Sequence, residues 1–301
     1  MPQLDYCIMD VFTDTALAGN PLAVVFNTSG LSSGQMQSIA REFNLSETTF
    51  VERRTAAQEQ AEGVRVRIFT TQEELPFAGH PTLGTASALR LSAPETLCGG
   101  TITLALNVGS IPVRFETAAA KTDALFAEMT QRDPELSTEL DPAQVARLIG
   151  LSVEDLDTVG PQVVSTGTAF AIVPLRSVAG LARLNLNQAE SSEWLHGFGA
   201  RWFYVLAPVT DPVDGGPKYR ARMQFNGGED PATGSAAGCA ISLLVARGMV
   251  ASGERILLRQ GVEICRPSDL FLSARREGER VTDVRVGGST VLVAKGHLFL
   301  P

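Results

Sequence analysis

The sequence predicts an α+β protein of two similar units, each a helix surrounded by strands. Three observations carry this. At 301 residues the chain is long for a single core and suits two domains of ordinary size. Its 44% apolar content is ordinary for a globular protein, so a sizeable core is available. The halves also share a pattern. Phe69 leads to Glu73-Glu74, then Pro76-Phe77-Ala78-Gly79 and a helix of small residues. Phe225 leads to Glu229-Asp230, then Pro231-Ala232-Thr233-Gly234 and another such helix. The Pro-x-x-Gly spacing is the same in both, and the chain closes in β structure.

The elements follow in order. Tyr6 to Thr13 reads as a strand, Ala18-Gly19-Asn20-Pro21 as a turn, and Leu22 to Phe26 as a buried strand. Leu31 to Phe43 is helical: Met36, Ile39, Ala40 and Phe43 share one face, and Ser32 or Ser33 supplies the N-cap. Thr48 to Glu52 and Val64 to Phe69 return to strand, the latter alternating with one wet face. His80-Pro81-Thr82 opens a helix through Leu91, with proline at a favoured first-turn position. Thr101 to Leu106, Ile111 to Phe115 and Leu125 to Met129 are strands, with Thr117 to Ala120 as the candidate linker. Asp141-Pro142 begins a helix that ends near Gly150. Val163 to Val173 carries strands around Ser165-Thr166-Gly167, and Leu181 to Leu186 is irregular or a short helix. Trp202 to Ala207 and Tyr219 to Phe225 are strands, and Gly248 ends the small-residue helix that follows. Ile256 to Arg259, Leu270 to Ala274, Val281 to Val286 and Thr290 to Val293 are late strands.

Composition excludes several classes. A net charge of −8 without a dense Lys/Arg run argues against nucleic-acid binding. No apolar run reaches the length of a membrane span, so no membrane partner is expected. The N-terminal M-P-Q-L-D-Y-C lacks a charged leader before an apolar core, which gives a cytoplasmic expectation. Cys7, Cys98, Cys239 and Cys265 show no C-x-x-C spacing, and His80, His196 and His297 are far apart. Neither a disulfide framework nor a metal site is expected.

The candidate chemistry gathers at the two helix starts. Phe225 to Ala240 runs an acidic pair, Glu229 and Asp230, into a Gly-containing turn before a helix. Such a helix N-terminus favours a bound anion, and a carboxylate beside it is an acid/base or polar-contact candidate. The same stretch also reads as a plain Pro/Gly turn before a core helix. Glu47 lies at a helix-to-strand junction among small polar residues, either as an exposed strand-end glutamate or as an acid/base group. His80 sits at a helix N-terminus that disfavours its charged form, either as a neutral hydrogen-bonding group or as a cap or core-satisfying histidine. In the internal comparison Glu47 has Val153 as its rough counterpart, so only one half carries the stronger acid/base candidate. A lone carboxylate takes a proton from one carbon and returns it to another on the same face, an isomerisation that needs no metal or organic cofactor.

Six strings carry a resemblance: D-V-F-T (Asp10 to Thr13), G-N-P-L-A-V-V (Gly19 to Val25), N-L-S-E-T-T-F-V (Asn44 to Val51), F-A-G-H-P-T-L-G-T-A (Phe77 to Ala86), E-D-P-A-T-G-S-A (Glu229 to Ala236) and Q-G-x-x-x-x-R-P-S (Gln260 to Ser268). Together and in this order they resemble the PhzF-like phenazine-biosynthesis family. The resemblance implies the diaminopimelate-epimerase fold: two pseudo-symmetric domains, each a mostly antiparallel, barrel-like sheet wrapped around a central helix, with the active site between them. On this chain the domains would be 1–118 with a returning strand at about 288–301, and 119–287.

The resemblance also implies a function. The family's type member isomerises a dihydro-hydroxyanthranilate by moving a proton with a glutamate. That role falls on Glu47, with His80 and Asp230 as the other catalytic candidates. Ser46, Gly79, Gly234 and Ser235 would bind the substrate, the glycines through backbone N–H groups. The implied protein is a cofactor-independent isomerase of a small carboxylate-bearing substrate, acting as a homodimer. Two alternatives stand beside it. One is a small-molecule-binding protein on the same fold without turnover. The other is a two-base amino-acid epimerase, which in this fold needs a facing cysteine pair. No cysteine lies in either Gly-rich turn, and Cys239 falls within the helix, where a small core residue is expected.

Overall fold

The computed structural model describes residues 3–92, 100–116, 124–213, 215–225 and 228–300. The expected linker Thr117 to Ala120 and Cys98 lie outside the described residues. The chain divides into two compact units, Met1–Thr130 with Gly287–Pro301, and Gln131–Val286.

The first unit runs β1 (Gln3–Val11), β2 (Asn20–Val25), α1 (Ser33–Phe43), β3 (Glu47–Glu52), α2 (Ala56–Glu62), β4 (Val64–Phe69), β5 (Glu74–Leu75), α3 (Gly79–Ser92), β6 (Thr101–Leu106), β7 (Gly109–Phe115) and β8 (Leu125–Thr130). The second runs β9 (Glu135–Glu139), α4 (Pro142–Leu148), β10 (Gln162–Ser165), β11 (Ala169–Pro174), α5 (Val178–Ala182), α6 (Gln188–His196), β12 (Phe203–Pro208), β13 (Tyr219–Arg222), β14 (Gln224–Phe225), β15 (Gly228–Glu229), α7 (Gly234–Ala246), β16 (Ile256–Gln260) and β17 (Ser268–Glu277). The last strand, β18 (Arg280–Phe299), begins in the second unit and ends in the first. No helix among the described residues is long and apolar enough to cross a membrane.

In the first unit the strand order is β1-β2-β3-β4-β6-β7-β8-β18, and β18 pairs back onto β1 to close a barrel. The sequence boundary at 118/119 differs from the observed division after Thr130. The reason is β8, which pairs with β7 (Val113 opposite Met129) and so belongs to the first unit's sheet. The helix inside is α3, buried without interruption from Gly79 to Leu89. A helix apolar or small all round has no wet face to offer and must be enclosed. Gly84 shows how tightly: a Cβ there would stand 2.6 Å from Leu22 Cδ2 and 2.8 Å from Val11 Cγ2. Outside lies α1, capped by Ser32 in a capping box with Gln35 and ended by Asn44 in the left-handed region. Its Met36, Ile39 and Ala40 pack with Leu4, Val25, Phe50 and Phe69.

The second unit orders β18-β17-β16-β13-β12-β11-β10-β9. Its central helix is α7, buried at Gly234 and from Ala236 to Val245. Its separate apolar cluster joins α4 (Val145, Ala146, Leu148) to α5, α6 and the strands carrying Val173, Phe203 and Val205.

The two units repeat in register. β2 and β3 are parallel with Ala23 opposite Thr48, and β11 and β12 are parallel with Ala171 opposite Phe203. Phe50 faces Arg67 in the first unit, and Val205 faces Arg222 in the second. From that arginine onward each unit uses the same steps. Arg67, Glu74, Pro76 and Gly79 correspond to Arg222, Glu229, Pro231 and Gly234, each pair 155 positions apart. Both arginines grip their glutamates with two nitrogens. Arg67 Nε donates to Glu74 Oε1 at 2.8 Å, and Arg222 Nε donates to Glu229 Oε1 at 3.0 Å. Each grip fixes the segment leading into the central helix. The register corrects one sequence expectation. The second-unit counterpart of Glu47 is Trp202 at the head of β12, whereas Val153 lies in a 3-10 turn.

Candidate functional site

In the first unit the site is assembled from the heads of β2, β3 and α3. Gly19 precedes β2 with φ +67°, and a Cβ there would lie 2.4 Å from Val11 O, so the G-N-P turn requires glycine. The turn delivers Asn20, which is fully buried. Glu47 opens β3, opposite Leu22 in the parallel ladder, with Ser46 half-buried just before it. Gly79 and His80 open α3, where Thr82 N–H donates to Ala78 O at 3.3 Å and the Thr82 hydroxyl donates to the same oxygen at 2.7 Å.

The fold brings Glu47 and His80 together. His80 Nε2 stands 3.6 Å from Glu47 Oε2, and Asn20 Nδ2 lies 3.3 Å from His80 Nδ1. His80 is only 4% exposed. Burial pushes its pKa down to about 3, against a smaller upward pull from the Pro21 carbonyl. The imidazole is therefore neutral at physiological pH, as its helix position suggested, but desolvation is the larger cause. The carboxylate at 3.6 Å does not reverse this, because an ionic pair would place two charges in a dry site.

In the second unit Asp230 sits between β15 and α7. Its N–H donates to Met223 O at 2.9 Å, and its carbonyl accepts from Gln260 Nε2 at 2.8 Å. Its carboxylate Oδ2 accepts the Thr233 hydroxyl at 2.6 Å. Gly234 and Ser235 begin α7, Gly234 buried and Ser235 half-buried. Gln131 Nε2 donates to Gly234 O at 2.9 Å, and a Cβ on Gly238 would fall 1.9 Å from Gln131 Oε1. Gly238 is thus small because a carboxamide lies on that face of the helix. Cys239 is fully buried beside Thr166, and burial pushes its thiol up to about 11. Such a thiol is a packing group and not a proton carrier.

The sequence assigns Glu47, His80, Ser46, Gly79, Asp230, Gly234 and Ser235 to one active site; within the first unit the structure brings Glu47 and His80 together with Ser46 and Gly79 beside them in the chain, and within the second Asp230, Gly234 and Ser235 share the start of α7. The sequence reading gave no role to Asn20, Thr233 or Gln260, although all three stand inside the quoted strings. Nor did it find the Arg-Glu grips, for which the signal was the repeated R-x6-E-x-P-x-x-G spacing. A cavity of about 640 Å³ also lies in the first unit, at the far end of α3 among Ala88, Leu89, Ser92, Cys7 and Lys295. It contains none of these site residues, being lined by the end of a helix about 21 Å long whose other end carries His80.

The profile of the phenazine biosynthesis-like protein family matches residues 9–296. An uncharacterized isomerase of Mesorhizobium japonicum is 36% identical over the whole of both chains. The trans-2,3-dihydro-3-hydroxyanthranilate isomerase of Pseudomonas aeruginosa is 36% identical over 98% of this chain and 99% of its own. Among solved structures, a predicted epimerase from Pseudomonas aeruginosa superposes with a TM-score of 0.82 at 33% identity over 99% of each chain. The fold is thus the α+β, helix-in-sheet architecture shared by phenazine-biosynthesis and epimerase-like proteins. The chain belongs to the phenazine biosynthesis-like family, and its reaction class is that of an isomerase.

Proposed function

We propose that the chain moves a proton between two carbons of a small carboxylate-bearing substrate, with Glu47 as the acid/base and no cofactor. The observation that carries this is the Glu47–His80 pair at the start of the central helix, 3.6 Å apart with a buried, neutral imidazole. Glu47 takes the proton as a C–H bond breaks, and the electron pair moves into the adjoining π-system. The Glu47 carboxyl proton, exchangeable with solvent before it is delivered, then forms a new C–H bond at the other end of that system, and the carboxylate is regenerated. Neutral His80 supports Glu47 without competing for the proton. In the first unit the backbone N–H of Gly79 and the Ser46 hydroxyl are groups for the substrate's carboxylate and polar atoms, and in the second unit Gly234, Asp230 and Ser235 are the corresponding candidate binding groups.

The test uses trans-2,3-dihydro-3-hydroxyanthranilate, the substrate named for the Pseudomonas relative, together with a panel of small cyclic and amino acids in deuterated water. The native protein is expected to place deuterium on carbon in at least one of them. Glu47→Gln is expected to bind the same compound and lose at least ~100-fold in turnover. Near-native turnover in Glu47→Gln sinks the assignment, and binding without exchange across the panel identifies a protein that has kept the fold and lost the chemistry.

A further inference from the structure

The Q-G-x-x-x-x-R-P-S string has no part in the proton transfer as described, yet the structure places its first residue directly under the start of α7. Gln260 is fully buried at the end of β16. Its Oε1 accepts from Tyr204 Oη at 2.9 Å and from Thr233 N–H at 3.2 Å. Its Nε2 donates to Asp230 O at 2.8 Å and to Thr233 Oγ1 at 3.0 Å. All four carboxamide positions are used. The orientation is not a choice, because Thr233 N–H only donates and Asp230 C=O only accepts, so a flipped amide would fail on both. With Thr233 Oγ1 accepting from Gln260, the hydroxyl proton goes to Asp230 Oδ2 at 2.6 Å in preference to Met223 Sδ at 3.1 Å, because a carboxylate is the stronger acceptor. Donation therefore runs one way, from Gln260 to Thr233 to the Asp230 carboxylate, while Tyr204 donates to Gln260 and holds it.

The rest of the string supports this placement. Gly261 has φ +77°, and a Cβ would lie 2.3 Å from Arg266 O and 2.7 Å from Pro231 O. Only glycine lets β16 turn away beneath Pro231. Ser268 pairs with Gln260 across the β16–β17 ladder, and its hydroxyl donates to Arg266 O.

Comparison of the two units separates this role from ordinary helix capping. The ladder Val64–Leu104 and Arg65–Ala105 corresponds to Tyr219–Leu258 and Arg220–Arg259. One step on, Leu106 stands where the second unit has Gln260. Leu75 stands where it has Asp230, and Thr49, bonded to Thr85, stands where it has Tyr204. Both central helices form, but the hub is present only in the unit that carries the aspartate.

We propose that Gln260, locked by Tyr204, is a positioning residue that sets the Asp230 carboxylate and the first turn of α7 for the reaction. This rests on the proposed function only for its catalytic consequence. The variants are Gln260→Glu and Tyr204→Phe in the full chain. In the first, the new carboxylate still accepts from Tyr204 and Thr233 N–H, but draws the Thr233 hydroxyl proton away from Asp230. In the second, Gln260 loses its lock and Asp230 keeps its bonds. Both are expected to speed amide hydrogen exchange in residues 230–236 and to leave β10, β11 and β12 at native rates. With the substrate found above, kcat is expected to fall at least ~10-fold in Gln260→Glu and less in Tyr204→Phe, with KM moving less than kcat. Native exchange in 230–236, or an equal rise throughout the second unit, overturns the positioning role. So does a native kcat in Gln260→Glu. If native protein turns over nothing in the panel, the proposed function fails, while the exchange pattern still decides whether Gln260 holds the α7 start.

Discussion

His80 has its properties from where its ring is buried, and that burial is measurable through stability. Its folded pKa of about 3 lies below the unfolded value near 6.5, so the unfolded chain takes up the proton first. Above pH 6.5 the residue costs nothing. As pH falls from 6.5 toward 3 the folded state is progressively penalised, by about 2 kcal/mol at pH 5. Urea unfolding at pH 7.5 and at pH 5 is expected to show this loss in the native protein and a smaller one in His80→Gln. An equal loss in both would mean that other groups set the acid limb. The same residue shows what a sequence hides. N-L-S-E-T and G-H-P-T were visible as strings, but the approach of Nε2 to Glu47 depends on β2 and β3 running parallel with Leu22 opposite Glu47. Asn20 is legible as a turn residue, and only the fold makes it a neighbour of the imidazole.

At the scale of elements, the strongly patterned segments were legible and the weakly patterned ones were not. α1 announced itself through Met36, Ile39 and Ala40 and a serine cap. α2 has no buried residue, so it carries no apolar periodicity, and its only signal was the Thr55–Gln58 capping box. β9 is an edge strand, mostly exposed, and α6 buries only Ser191 and Leu195. Glu47 was matched to Val153 through similar short strings after a helix, whereas the true equivalence with Trp202 is carried by strand register, which leaves no identity in the sequence. The Arg-Glu grips, by contrast, are spelled out twice. They differ in burial: Arg222 and Glu229 side chains are 10% and 6% exposed, Arg67 and Glu74 16% and 26%. Removing one partner of a buried pair strands the other charge, while a wetter carboxylate finds water. Glu74 also keeps a hydrogen bond from Asn107. Arg222→Met is therefore expected to lose about 3 kcal/mol or more in urea unfolding, and Arg67→Met about 1 kcal/mol. Equal losses would show that burial does not set the value of these grips.

At the scale of the whole molecule, the two-unit α+β plan was legible from length and the repeated Pro-x-x-Gly helix starts; a returning strand at about 288–301 came only with the family resemblance, and the continuity of that strand with the second unit was not legible. The sequence suggests separate strands at Val281 to Val286 and Thr290 to Val293. The structure has one strand of 20 residues. Gly287 is small because it packs against β8, where a Cβ would meet Ala127 O at 3.0 Å, and not because the chain turns. The consequence is that a strand begun in the second unit completes the first. β18 pairs with β1 from Val11–Thr290 to Gln3–Phe299, with an irregularity near Ile8 and Met9. Without that pairing β1 would become an edge, and the buried Cys7, Met9 and Val11 would lose the wall beside them. A chain ending after Val286 keeps the portion of β18 assigned to the second unit. Amide exchange on it is expected to show loss of protection through β1 and β2 and in α3, which packs on both strands, with β11, β12 and β16 still protected. If β1 kept its native protection, the eight-strand closure would not be what stabilises the first unit. The Glu47–His80 geometry would then have to be held by α3 and the β2–β3 ladder alone.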